Sequence, residues 1–288
     1  MSRPLLILEA TTPIGRALVE RALAQGRAVV AVALDDSGLR ELRAAHRKAD
    51  LTVLPGAADD APRAAALAAD LRDLGRPLSG VIAAWCCEPR RGRLLEMHDE
   101  VLDELVREEV LPPLAAARAL VPLLAEGGRN GAFIVVGGPG GEQPWAGYGL
   151  RSIAAAANRM LLRVLHDEAR ALSVRVQLLA VEMPTRTDAN AERACAHWPS
   201  ALAIADRALA LSDPQRLREP TEAVVRFAWN AAPAASAATA TPDRRAVHAT
   251  PGAGPRVLDQ TWQGLKPLLD AALSTAALPD TSNDNNKA

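Results

Sequence analysis

Aromatic side chains are scarce in this chain of 288 residues: they make up 3 %, with one tyrosine and two phenylalanines. So few rings exclude a surface that stacks nucleobases, and no nucleic-acid partner is expected. Cysteine is rarer still. There are three, Cys86 and Cys87 adjacent and Cys195 apart, which makes neither a disulfide framework nor a C-x-x-C pair and suits a reducing cytoplasm. The five histidines are scattered without metal-ligand spacing, so no metal is expected. No apolar run is long enough to cross a bilayer. The run at the N-terminus is short and broken by Glu9, which argues against a signal peptide. A formal net charge of −1, with both signs interspersed, gives no reason to expect a polyanion or a membrane surface as partner. Internal repeats are missing as well.

What is present is core-forming material. Apolar residues make up 49 %, mostly Ala, Leu and Val, enough for one large α/β domain or two small ones. Short apolar runs read as strands at 5–8, 28–34, 51–54, 81–85, 132–136 and 174–181. Helical stretches lie between them: 13–25, 39–48, 62–74, 94–124 and 152–172. Pro112 and Pro113 should kink the fourth, and Gly127 and Gly128 should end it. The fifth carries a small face, Ala154 to Ala157. Strands buried on both faces that alternate with helices predict a doubly wound parallel sheet with right-handed crossovers. Residues 187–211 read as one or two helices over the open edge, and 222–229 as another helix. Residues 231–254 read as an Ala/Ser/Thr/Pro linker with a possible last strand. A C-terminal helix is expected within 255–277, and 278–288 reads as a disordered tail.

The first strand and its turn, Leu5 to Gly15, carry the main puzzle. Thr12 is a good N-cap and Pro13 suits the first helical position. Strand, tight turn and helix opening form the corner that grips a dinucleotide diphosphate. The glycines that bare such a corner are mostly missing, and Glu9 stands among them.

Beyond the element order, several strings resemble the short-chain dehydrogenase/reductase superfamily over residues 4–230. Residues 118–124, Arg-Ala-Leu-Val-Pro-Leu-Leu, look like the end of the family's fourth crossover helix. Tyr148 follows a Gly/Pro loop and precedes an Ala-rich helix, where the family keeps its catalytic tyrosine. Residues 218–223, Arg-Glu-Pro-Thr-Glu-Ala, look like the family's E-P-E-E-V-A helix start. The resemblance implies a Rossmann-like sheet of that type, a single domain with a C-terminal extension. It also implies a nicotinamide dinucleotide and an Asn, Ser, Tyr, Lys set.

Carried over residue by residue, the resemblance puts Glu9 at the first glycine of the turn and Pro13 or Thr12 at the second; Gly15 alone is kept. Two like unit charges about 4 Å apart cost roughly 1–4 kcal/mol, so a carboxylate here opposes a diphosphate. Glu9 is expected to cap the helix in the phosphate's place; the alternative is that it turns outward and leaves a shifted cofactor room. After the second strand, Ala33 and Leu34 provide neither the acid that selects NAD nor the base that selects NADP, and Asp35 reads as a helix cap. Ala57 stands at the adenine-facing Asp, with Asp59 and Asp60 reading as caps for the third helix. Residues 83–86, Ala-Ala-Trp-Cys, replace N-N-A-G; Trp85 either fills the vacated pocket or packs in the core.

Glu109 takes the Asn position, Gly137 or Gly138 the Ser position and Ser152 the Lys position. Tyr148 is retained without a cation, and a phenol alone is a poor base at neutral pH. Val181 and Glu182 replace the Pro-Gly beside the nicotinamide, and Thr185 matches a weak amide contact. Glu9, Glu109 and Glu182 are expected around one crevice. That crevice is either inert or a pocket for a cationic or neutral ligand; the alternative is that the three are separately solvated. Cys86 and Cys87 read as a buried pair and His166 as a packed or interface side chain. Arg90, Arg91 and Arg93 read as a solvated loop, with a phosphate or a partner's acidic face as the alternative.

Taken together, these readings predict a catalytically impaired pseudoenzyme without cofactor. It would serve as a non-catalytic subunit, scaffold or regulator of a paired reductase, assembling as a homo- or hetero-oligomer through helices 94–124 and 152–172. The alternatives are a divergent NAD(P)(H)-dependent oxidoreductase using Tyr148 and a small-molecule sensor using the crevice.

Overall fold

The computed structural model describes residues 3–85, 90–128, 131–213 and 222–229. Cys86 and Cys87, most of the 218–223 string, and the expected linker, C-terminal helix and tail lie outside the described residues. Seven parallel strands form one sheet in the order β3-β2-β1-β4-β5-β6-β7. They are β1 (Leu5–Leu8), β2 (Val29–Ala33), β3 (Leu51–Pro55), β4 (Gly80–Ala83), β5 (Gly131–Gly137), β6 (Val174–Ala180) and β7 (Val224–Arg226). The helices are α1 (Pro13–Ala24), α2 (Asp36–Ala45), α3 (Ala61–Asp73), α4 (Glu100–Leu105), α5 (Leu111–Glu126), α6 (Gly149–Ala169) and α7 (Ala201–Leu211).

The period-two alternation of strand side chains divides the core between the two faces of the sheet. Leu6, Leu8, Phe133 and Val135 pack with Leu67 of α3, Leu120 and Leu124 of α5 and Leu162 of α6. Leu5, Ile7, Val29 and Ile134 pack with Leu18 of α1, Leu39 of α2 and Ile204 of α7. Both faces are covered, so the strands must be apolar throughout, and the five residues of β2 are all buried. Side-chain oxygens start four of the helices. Thr12 accepts from the Gly15 amide, Asp35 from Ser37 and Gly38, Asp60 from Arg63, and Ser200 from Ala203.

Two stretches depart from expectation. Residues 222–229 are not a helix: Val224–Arg226 is β7, parallel to β6 at the sheet edge. Two successive valines pair better with an open strand edge than with a helix, and edge pairing decides what local propensity leaves open. The 187–211 stretch holds a 3-10 turn at Asp188–Asn190 and then α7. The expected kink at Pro112 and Pro113 takes the form of a π-helical segment, Val106–Val110, joining α4 to α5. Neither proline has an N–H to give to the carbonyl four residues back. The Glu109 carbonyl, left without that donor, accepts instead from Asn158 Nδ2 of α6 at 2.8 Å.

Gly15 is where β1, its turn and α1 come closest. A Cβ there would collide with the Glu9 carbonyl and the Ala10 backbone. Gly15→Ala therefore forces main chain to move and is expected to destabilise by about 1–3 kcal/mol, measured by urea denaturation.

Candidate functional site

In a doubly wound sheet, ligands bind beyond the carboxyl ends of the strands, where the strand order reverses. Here that reversal lies between β1 and β4. The turn after β1 is held by Thr12, whose amide (3.1 Å) and hydroxyl (2.8 Å) both donate to the Glu9 carbonyl. Glu9 itself sits at φ 55, a left-handed conformation that favours glycine. Its main chain thus keeps the course of a glycine turn while its side chain adds a carboxylate. That carboxylate does not cap α1, as was expected; the Thr12 hydroxyl does. Glu9 is half-buried near Asp59, and burial first, then the Asp59 charge, raises its pKa.

The second region is a narrow slot over the ends of β4, β5 and β6, lined by Trp85, Glu109, Arg151, Asn158, Arg159 and Glu182, among others. Its water-accessible space is about 50 Å³, far below the roughly 300 Å³ at which small-molecule pockets begin. An ion pair lines it. Arg151 Nη1 lies 3.0 Å from Glu109 Oε2, with the two side chains 15 % and 13 % exposed. The guanidinium lies against Gly138, where a Cβ would strike it. Burial raises the pKa of Glu109, and Arg151 works against that rise. Near the mouth, Arg159 reaches Glu182 at 3.0 Å and Glu142 at 3.3 Å, and Arg226 of β7 also bonds Glu142.

The expected site residues are therefore divided. Glu109, Glu182, Trp85, Gly137 and Gly138 share the slot. Glu9 is not among the slot's lining, which holds only Glu109 and Glu182 of the three expected carboxylates. Tyr148 and Ser152 are not among the slot's lining. The Tyr148 ring stacks on Trp145, with centroids 4.3 Å apart, and its hydroxyl accepts from Arg91 Nε at 2.5 Å. Ser152 Oγ accepts from the Trp145 amide and donates to the Tyr148 carbonyl, serving the loop's own backbone. Arg151, next to Ser152 on α6, is the side chain that enters the slot.

Sequence reading missed Arg151, Asn158 and Arg159. Their spacing with Ala155, at 151, 155, 158 and 159, puts all four on one helix face and was the available signal. His166 Nδ1 lies 2.7 Å from the Val176 carbonyl, the packed role expected of it. The three loop arginines are paired: Arg90 with Glu104 and Glu108, Arg91 with Tyr148, Arg93 with Glu96. Beside the start of α1 runs an open groove of about 510 Å³, lined by Pro13, Arg16, Glu20, Arg186, Asp188 and Ser200, among others. Among the described residues no metal-binding cluster occurs, and no helix is long and apolar enough to cross a membrane.

A family model described as Enoyl-(Acyl carrier protein) reductase matches residues 10–243. With the sheet order, that match places the chain in the short-chain dehydrogenase/reductase family. Similar solved structures include a short chain oxidoreductase from Pseudomonas aeruginosa with an atypical catalytic centre. Its apo form is 19 % identical with a TM-score of 0.69, covering 82 % of this chain and 98 % of that one. Its NADPH-bound form is 20 % identical with the same TM-score, covering 79 % and 96 %. A short-chain type dehydrogenase/reductase from Mycobacterium ulcerans is 18 % identical, TM-score 0.69, covering 78 % and 89 %. No curated protein matches the chain.

The raised Glu9 pKa has a definite sign. A carboxyl harder to ionise in the folded state is no burden below the unfolded pKa, and its penalty grows as pH rises towards the folded value. Glu9→Gln is expected to raise Tm at pH 7, with the gain vanishing below about pH 4, the ordinary Glu pKa. Thermal melts across pH measure it.

Proposed function

We propose that this chain is a catalytically impaired member of its family, acting as a non-catalytic subunit, scaffold or regulator of a paired reductase. The observation that carries the reading is the Arg151–Glu109 pair, which occupies the space over β5 and β6. The residues present do not suit a nicotinamide dinucleotide. Glu9, half-buried near Asp59, brings negative charge to the turn that a diphosphate must approach. The slot beyond is too narrow for a nicotinamide ring, and Tyr148 and Ser152 are engaged elsewhere. The test is a titration with NADPH and NADH, followed by cofactor fluorescence and thermal shift. No saturable change is expected. A Kd in the micromolar range, about −8 kcal/mol of binding, would overturn the reading.

A second reading, a divergent NAD(P)(H)-dependent oxidoreductase, draws support from the open groove beside α1 and from the Pseudomonas neighbour, described as NADPH-bound with an atypical catalytic centre. Tyr148 would be its acid, and it requires the loop around 145–148 to rearrange.

Partner assembly rests on exposed apolar side chains. Ile153, Met160 and Val164 make one stripe on α6, and Leu102 of α4 and Val106 of the π-helical segment make another. We propose that these faces pair with a second copy or with an active relative. Met160→Glu is expected to weaken self-association at least tenfold, about 1.4 kcal/mol, seen by gel filtration and analytical ultracentrifugation. An unchanged elution position would count against it.

A further inference from the structure

Aromatic rings are scarce in this chain, yet the rings of Tyr148 and Trp145, both half-buried, stack with centroids 4.3 Å apart. The exposed Arg91 completes the cluster. Its guanidinium lies over the Tyr148 ring, 5.1 Å from the centroid, and its Nε donates to the Tyr148 hydroxyl at 2.5 Å. Main chain holds the two segments together: Gly92 bridges to Tyr148, and the Gly92 amide donates to the Gly147 carbonyl. Leu94 lies against Gly149 at the start of α6. Tryptophan, tyrosine and arginine are the side chains that most often dominate the binding energy of protein interfaces.

The chemistry of the occupant follows from what the cluster leaves unmatched. Arg90 is neutralised by Glu104 and Glu108, and Arg93 by Glu96. Arg91 has no carboxylate partner among the described residues; its polar contact is the Tyr148 oxygen. That oxygen accepts from Arg91, and its own O–H meets no acceptor among the described residues. The guanidinium is a rigid planar fork, so its terminal nitrogens stay close to the hydroxyl that Nε holds. Terminal N–H groups and a phenol O–H then converge on one acceptor, and the uncompensated positive charge favours a carboxylate. Apolar surface follows on the same segment, with Leu94 46 % and Leu95 94 % exposed. An exposed cluster of this kind suits a protein segment better than a small molecule, which needs a concave wall around it.

We infer that Arg91, Tyr148 and Trp145 form a docking surface for a protein partner that presents an Asp or Glu carboxylate beside an apolar side chain. The carboxylate takes the Arg91 terminal N–H groups and the Tyr148 O–H, and its apolar neighbour covers Leu94 or Leu95. This surface rests on the subunit or scaffold role proposed above and names the contact chemistry of that role.

Tyr148 is the sole tyrosine, so the full chain grown with ring-labelled 13C tyrosine gives NMR signals that report this surface directly. The probes are an acetylated leucine–glutamate–leucine amide, its leucine–glutamine–leucine counterpart and inorganic phosphate. The glutamate peptide is expected to move the Tyr148 signals saturably and to bind roughly threefold tighter than the glutamine peptide, the scale of one exposed ion pair. Added salt is expected to erase the difference. Arg91→Met keeps the stem, removes the charge and should bring the glutamate peptide to the level of the glutamine peptide. Arg91→Lys keeps the charge without the planar fork and should fall between. The comparison of peptides on the wild-type chain stands even where a variant fails to fold. Equal responses to the two peptides, or none, would overturn the inference. Phosphate binding as tightly as the glutamate peptide would overturn it in favour of a phosphate site, and Tyr148 signals that move with protein concentration alone would give the face to a second copy. The NADPH titration judges the impaired-enzyme reading separately: cofactor binding with glutamate selectivity intact sinks that reading only, and the reverse pattern sinks this surface only.

Discussion

The contact between the π-helical segment and α6 at Glu109 shapes the slot over the carboxyl ends of the central strands. Pro113 denies the Glu109 carbonyl its helical donor, and Asn158 supplies one from the neighbouring helix. Arg151 takes the side chain of the same residue. One glutamate is thereby tied to α6 through both its backbone and its carboxylate, on two turns of that helix. The two helices cannot slide past one another there without losing both bonds. A buried ion pair of this kind gains little net stability, because desolvation offsets most of the attraction. Its effect is geometric: it fixes the helix register and lines the slot.

Around that contact, polar groups form a connected rim. Arg159 links the loop after β5, through Glu142, to the end of β6, through Glu182, and Arg226 ties the edge strand to the same Glu142. Exposed pairs are individually weak. Arg159, however, is only 11 % exposed, and its fork spans the segments that follow two neighbouring strands. The rim and the inner pair together line a narrow slot over the ends of the central strands.

The turn after β1 shows how a fold persists when the residues that usually shape it change. Glu9 holds a left-handed backbone at a cost of about 1–2 kcal/mol relative to glycine. Two bonds from Thr12 to its carbonyl and the bare Gly15 beneath it compensate. The turn therefore holds a left-handed residue that is not glycine while keeping Gly15 where main chains meet. Fold membership rests on the matching family model and the sheet order, while function has to be argued from the site.

Most of the fold was legible in the sequence, because strands covered on both faces must be continuously apolar and helix starts carry Thr12, Asp35, Asp60 and Ser200 in plain view. The exception was β7, three residues whose state depends on an open edge of β6. Of the site, Glu109, Glu182 and Trp85 were legible as departures at family positions. Arg151, Asn158 and Arg159 were not, since an arginine on a long helix reads as solvated until its neighbours are known. Contacts with Glu109 of the π-helical segment hold Arg151 and Asn158, and Glu142 and Glu182 hold Arg159. Local chemistry along the chain determined which residues could build strands, caps and turns. Which charges face one another was decided by contacts among residues far apart in sequence, and no local pattern encodes those.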